Sequence, residues 1–72
     1  MSDQGSHIYR VGEIVGSSET SIDAAIQAAI RRADETLRNV RWFEVKETRG
    51  EVIGGRVGHF QVRLKVGFTL DT

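Results

Sequence analysis

Trp42 is the residue of this 72-residue chain whose type and position most invite a chemical reading. It is the only tryptophan, and it lies in the segment NVRWFEVKETRG (39–50), which has the composition of a β-strand. Side chains alternate between the two faces of a strand. Phe43 and Val45 therefore share one face with Glu47 and Arg49, while Trp42 shares the other with Glu44, Lys46 and Thr48. The largest apolar side chain is placed among polar ones. An indole in such company serves as a contact between subunits, as incidental surface, or as a platform on which a planar ligand stacks.

Other kinds of chemistry find little to work with. Ser17, Ser18 and Ser21 have no histidine or lysine beside them to act as a base, and helix capping accounts for them. His7 and His59 are the only histidines, there is no cysteine, and no HxxxH or HExxH spacing occurs, so a metal centre is not expected. His59 reads as an ordinary solvated or interface histidine. Gly54-Gly55 suits a tight turn, whereas a phosphate loop needs more glycine and a helix after it. Arg63 and Lys65 read as surface charges facing Glu44 and Lys46 across strands. No set of residues is arranged for hydride or proton transfer, which favours a binding protein over an enzyme.

The elements that must position Trp42 follow from periodicity. Residues 7–15, HIYRVGEIV, predict a strand with Tyr9, Val11 and Val15 on one face and Ile8 and Ile14 on the other. GSSETS then supplies turn and capping residues, with Thr20 and Asp23 spaced as a capping box. Ile22, Ala25, Ile26, Ala29, Ile30, Ala33 and Leu37 recur at three and four and predict one stripe of a helix. Its small alanines allow close approach to a sheet, and Arg31/Glu35 and Asp34/Arg38 lie at i,i+4 on the polar side. A second strand is expected over about 40–52, then a turn at IGGR. A third strand over 57–70 carries Phe60, Val62, Leu64, Val66, Phe68 and Leu70 on one face and His59, Gln61, Arg63, Lys65 and Thr69 on the other. The fold class is therefore α+β, a β-α-β-β protomer with a three-stranded antiparallel sheet wrapped on one helix, in a single domain (1–72) with a flexible stretch at 1–6. On this pattern Phe43 and Val45 face the helix, and Trp42 shares the outer face with Gln61.

Size and charge limit the partners. About 17 helical residues span roughly 26 Å, whereas 13 strand residues span roughly 43 Å, so one helix cannot cover the sheet. A chain this short has a small core and no disulfide to staple it, and self-association into a closed homo-oligomer is the remaining support. Ten basic residues balance ten acidic ones, so charge calls for neither nucleic acid nor an anionic membrane. One aromatic platform without net positive charge also argues against single-stranded nucleic acid. The apolar runs are far shorter than a membrane span, and the first residues lack a signal-peptide pattern, which makes the cytoplasm the default location.

From Tyr9 to Asp71 the sequence resembles the dodecins, small flavin-binding proteins that assemble into hollow dodecamers from β-α-β-β protomers. The segments that carry the resemblance are VGSSETSIDAAIQAAIRRA, WFEV, TRG and HFQVRLKVGFTLD. The resemblance implies that Trp42 stacks on an isoalloxazine ring, with two flavins antiparallel between symmetry-related tryptophans, and that Gln61 hydrogen-bonds the pyrimidine edge. It also implies storage and protection of the flavin, the stacked indole quenching its excited state. Arg49 and Arg41 are the candidates for contacts beyond the ring, including a phosphate. Phe43 and Arg49 resemble bacterial members, which favours FMN as the ligand, with riboflavin or FAD as alternatives. Glu51 matches a position that gates the pocket in archaeal members. Where bacterial members often read Gly-Phe-Arg-Leu this chain reads GFTL, and Thr69 supplies no charge. The alternative ligand class is coenzyme A or another nucleotide, at the indole or at a separate site, since adenine also stacks on aromatic rings.

Overall fold

A computed structural model describes residues 8–70, so the predicted N-terminal stretch 1–6 and His7 lie outside the described residues. The chain runs β1 (Tyr9–Ser18), α1 (Ile22–Leu37), β2 (Val40–Ile53), β3 (Arg56–Thr69). The three strands form one antiparallel sheet in the order β1-β3-β2. β3 is thus the central strand, which suits its unbroken alternation of apolar residues. Val62, Leu64 and Val66 point to the helix side and are at most 1% exposed. Burying each contributes roughly 1.5–3 kcal/mol.

The helix meets this row through Ala25, Ala29 and Ala33, with Ile14, Ile22, Ile26 and Ile30 packed around the centre. It approaches β1 so closely that Gly16 has no room for a side chain: a Cβ there would lie 2.5 Å from the Ala25 carbonyl oxygen and 2.7 Å from the Ala29 Cβ. The small residues expected from the sequence are therefore a steric requirement of the layer spacing.

The helix start differs from the expected capping box. Ser21 is the N-cap, its Oγ accepting from the Ala24 N–H at 3.0 Å, while the Thr20 N–H is bound by the Ser18 Oγ at 2.9 Å. β1 also runs on through Gly16, Ser17 and Ser18, because β3 is long enough to pair with them up to Phe60, and ladder bonds override the turn tendency of those residues. Ser21→Ala is expected to cost about 1 kcal/mol of stability and Thr20→Ala much less, as read from urea midpoints. Equal effects would restore Thr20 as the cap. The helix carries an Arg32–Glu35 ion pair at 3.6 Å, spaced i,i+3, and among the described residues neither Arg31/Glu35 nor Asp34/Arg38 forms an ion pair.

Arg38 and Asn39 leave the helix with φ of 61° and 53°, and the Asn39 carbonyl accepts from the Thr69 N–H at 3.2 Å. This short reversal delivers the chain straight to the edge of β3. At the other end Gly54 and Gly55, with φ of 57° and 76°, make the two-residue hairpin turn between β2 and β3.

The largest departure from simple alternation lies in β2, whose register against β3 shifts between Val40 and Trp42, between Val45 and Glu47, and between Glu51 and Val52. Phe43 and Val45 stand opposite Val66 and Leu64 on the helix side, as expected. The irregularity at Lys46 then shifts the alternation of faces by one residue. Glu47 and Arg49 stand opposite Arg63 and Gln61, on the outer face and not beside Phe43 as strict alternation would place them. α1 spans only about 24 Å, against a longest dimension of 59 Å for the described chain. Phe43 and Val45 on the flank, and Val52, Ile53 and Val57 near the hairpin tip, stay exposed.

Candidate functional site

The sheet face away from the helix presents Gln61, Arg63, Lys65 and the bare backbone of Gly67 along β3. β1 adds Tyr9, Val11, Glu13 and Val15 on one side, and β2 adds Trp42, Glu44, Glu47 and Arg49 on the other. Trp42 pairs with Gly67, and its indole lies directly on that residue: a Cβ at Gly67 would come within 2.1–2.5 Å of indole Cε2, Cζ2 and Nε1. Tyr9, carried by the opposite strand, meets the indole edge-on with ring centroids 6.3 Å apart and planes at 67°. The indole remains 37% exposed. It is neither a core residue nor a loosely held one.

Arg41 is the extra residue of the irregularity before Trp42. It is exposed, and no hydrogen bond or ion pair ties it to another described residue. A cation therefore stands next to the indole in the chain.

Further along the same face Arg49 donates from Nε to the Oε1 of Gln61 at 2.9 Å. A guanidinium can only donate, so the Gln61 amide oxygen is the atom turned to Arg49, with one acceptor direction and both Nε2 donors left for another group. These two residues, with Val15, Glu47, Val62 and Arg63, line a shallow depression of about 180 Å³. Ligand sites for organic molecules enclose roughly 300–1,000 Å³, so this depression is smaller than such a site.

Arg63 is held between Glu47 at 3.3 Å and Glu13 at 3.5 Å, a cross-strand surface charge as expected but with these partners in place of Glu44 and Lys46. His59 lies between Glu51 at 2.9 Å and Glu19 at 3.7 Å at the hairpin end of the face. Glu51, matched to a gating position by the resemblance, is engaged by this histidine. Among the described residues no group of three or more His, Asp or Glu side chains is placed to hold a metal ion, and no helix is long and apolar enough to cross a membrane.

The four residues singled out in the sequence therefore fall into two pairs. Arg41 adjoins Trp42, and Arg49 is bonded to Gln61. Gly67 lies six positions along β3 from Gln61, roughly 20 Å of strand, so Trp42 and Gln61 share a face of the sheet without sharing a neighbourhood. Tyr9 and Gly67 are the site residues that sequence reasoning missed. A signal for them existed in the missing side chain at Gly67 on the outer row of β3, but its meaning depends on which strands flank β3.

The dodecin family profile matches residues 8–71. The chain is 52% identical over 64 residues to the dodecin of Thermus thermophilus, covering 89% of this chain and 93% of that protein. Its structure is similar to that of the dodecin from Streptomyces davaonensis, with 52% identity, a TM-score of 0.89, and coverage of 92% of this chain and 97% of that one. It is also similar to a T. thermophilus dodecin solved with one tryptophan replaced by phenylalanine, at 48% identity, a TM-score of 0.87, and coverage of 93% and 100%.

Proposed function

The chain belongs to the dodecin family, and on that premise we propose that it binds FMN or riboflavin against Trp42 where copies of the chain meet, storing and shielding the flavin without turning it over. The observation that carries this reading is the indole itself: partly exposed, seated on bare backbone, and set on a face otherwise rich in charged side chains. A seated indole offers a broad π-surface to a planar ring with little conformational freedom left to lose.

Gln61 supports the reading with a complementary edge. Its remaining acceptor direction and amide donors suit a pyrimidine ring that presents an N–H between carbonyls. The roughly 20 Å of strand between Gln61 and Trp42 is too long for one isoalloxazine ring to touch both in the same chain. A second copy, supplying its own Gln61 near the first copy's Trp42, completes the site. This assigns a functional reason to self-association, beyond covering Phe43, Val45 and the hairpin tip.

Three T. thermophilus dodecin variants have been solved in which a tryptophan or one of two arginines is replaced, and the spacing of those three positions is that of Trp42, Arg49 and Thr69 here. Two of the three residue types are kept. Thr69 offers no charge at the third position, which leaves Arg41 as the cation nearest the indole in sequence. A single exposed guanidinium gives a phosphate limited help, so riboflavin and FMN are expected to bind within about tenfold of each other.

Titration of each flavin with ligand-free, assembled protein tests the proposal, because an indole in contact with the excited ring donates an electron to it and quenches its emission. Saturable quenching of both flavins is expected. Emission unchanged by protein would contradict flavin binding at Trp42 and turn attention to coenzyme A. Steady NAD(P)H oxidation by the flavin-loaded protein would contradict the absence of turnover.

A further inference from the structure

We infer that Tyr9 and Gly67 are positioning residues that set the plane of the Trp42 indole before any ligand arrives, and that this presetting, as well as the indole's presence, governs affinity. The inference rests on the reading of Trp42 as the stacking platform. It concerns two residues placed against the indole.

β3 lies between the strands that carry Tyr9 and Trp42, and a side chain at position 67 would take the space that the indole fills. Gly67 has none. The indole can therefore lie down on the backbone, which is why Gly67 is buried although it belongs to the outer row. Lying there, the indole meets Tyr9 edge-on at 6.3 Å, the preferred geometry for two aromatic rings that do not stack. Tyr9 itself is fixed to the sheet by its pairing with Thr69.

A floor and a wall restrict the indole from two directions, and the residue keeps part of its surface exposed. A freely rotating tryptophan would have to be ordered on binding, at the expense of affinity. Here much of that ordering is already done by the fold. The arrangement also explains why an indole on a charged face is not randomly oriented.

The test compares Tyr9→Leu, Tyr9→Phe, Gly67→Ala and Trp42→Ala for riboflavin affinity and for near-UV circular dichroism without ligand. The chain has one tryptophan and one tyrosine, so the indole bands report Trp42 alone. Tyr9→Leu is expected to weaken binding about fivefold and Gly67→Ala about tenfold or more, each with loss of the Trp42 dichroism in the ligand-free protein. Tyr9→Phe, which keeps the ring edge, is expected to retain both the dichroism and most of the affinity. Should Gly67→Ala fail to assemble, the Tyr9 pair decides. Wild-type affinity in Tyr9→Leu, with binding lost in Trp42→Ala, would overturn the inference and leave the stacking site standing. Wild-type affinity in Trp42→Ala would instead overturn the stacking site itself.

Discussion

Replacing Trp42 with alanine is expected to lower flavin affinity by one to two orders of magnitude or more while the protein still folds and assembles. Removing an aromatic platform under one stacked base costs about 1–3 kcal/mol, and each 1.4 kcal/mol is tenfold in affinity. An isoalloxazine ring has a larger stacking area than a base, and a site on a symmetry axis would lose two indoles at once, so the upper part of that range applies. The fold should survive because the core lies on the other side of the sheet, in Val62, Leu64, Val66 and the alanines of α1. Trp42 lies on Gly67 and beside the Tyr9 ring, on the face away from that core. Titration of the variant, with assembly checked by light scattering, gives the answer. Affinity unchanged within twofold would remove the indole from the site and return it to the role of subunit contact or surface.

The second large effect concerns Gly16. An added methyl group there would sit 2.5 Å from the Ala25 carbonyl oxygen, and a backbone atom in the middle of a helix cannot step aside without moving the helix. Overpacking of this kind costs about 1–3 kcal/mol and occasionally more. In a domain whose core is one helix on three strands, the whole layer spacing must change. Gly16→Ala is therefore expected to lower the urea midpoint markedly and to weaken assembly with it. Gly12→Ala is the control on the same strand, since its methyl would meet only Phe68 Cε1 at an ordinary 3.9 Å. A Gly16→Ala protein as stable as the Gly12→Ala protein would show that helix and strand can separate more easily than their contact suggests.

Much of this fold is legible in the sequence because two of its elements have clean periods. The alternation from Phe60 to Leu70 announces a half-buried strand, and the Ile/Ala stripe from Ile22 announces the helix that covers it. The ends are less legible. Ser21 caps the helix where the sequence spacing points to Thr20, because both adjacent residues carry a capping hydroxyl and the extended backbone falls at Ser21. β1 continues through Gly16-Ser17-Ser18 because a longer partner strand is present, which local propensity does not register.

The site was half legible. Trp42 stands out by composition, and the resemblance adds Gln61, Arg49 and Arg41. Strict alternation places Arg49 on the helix side, away from Gln61. Only the irregularity at Lys46, which has no glycine or proline to mark it, brings the two into hydrogen-bond contact. Tyr9 and Gly67 stayed hidden for a different reason. They are 58 residues apart in the chain, and they meet Trp42 only because β3 lies between β1 and β2. Strand order is a long-range property that periodicity does not carry.

The most direct measurement is a crystal structure of the assembled protein loaded with riboflavin. The account predicts the isoalloxazine ring against the face of Trp42 turned away from Gly67, with its pyrimidine edge at a Gln61 supplied by a different copy of the chain. A ring found elsewhere, or one held by Trp42 and Gln61 of the same copy, would contradict it.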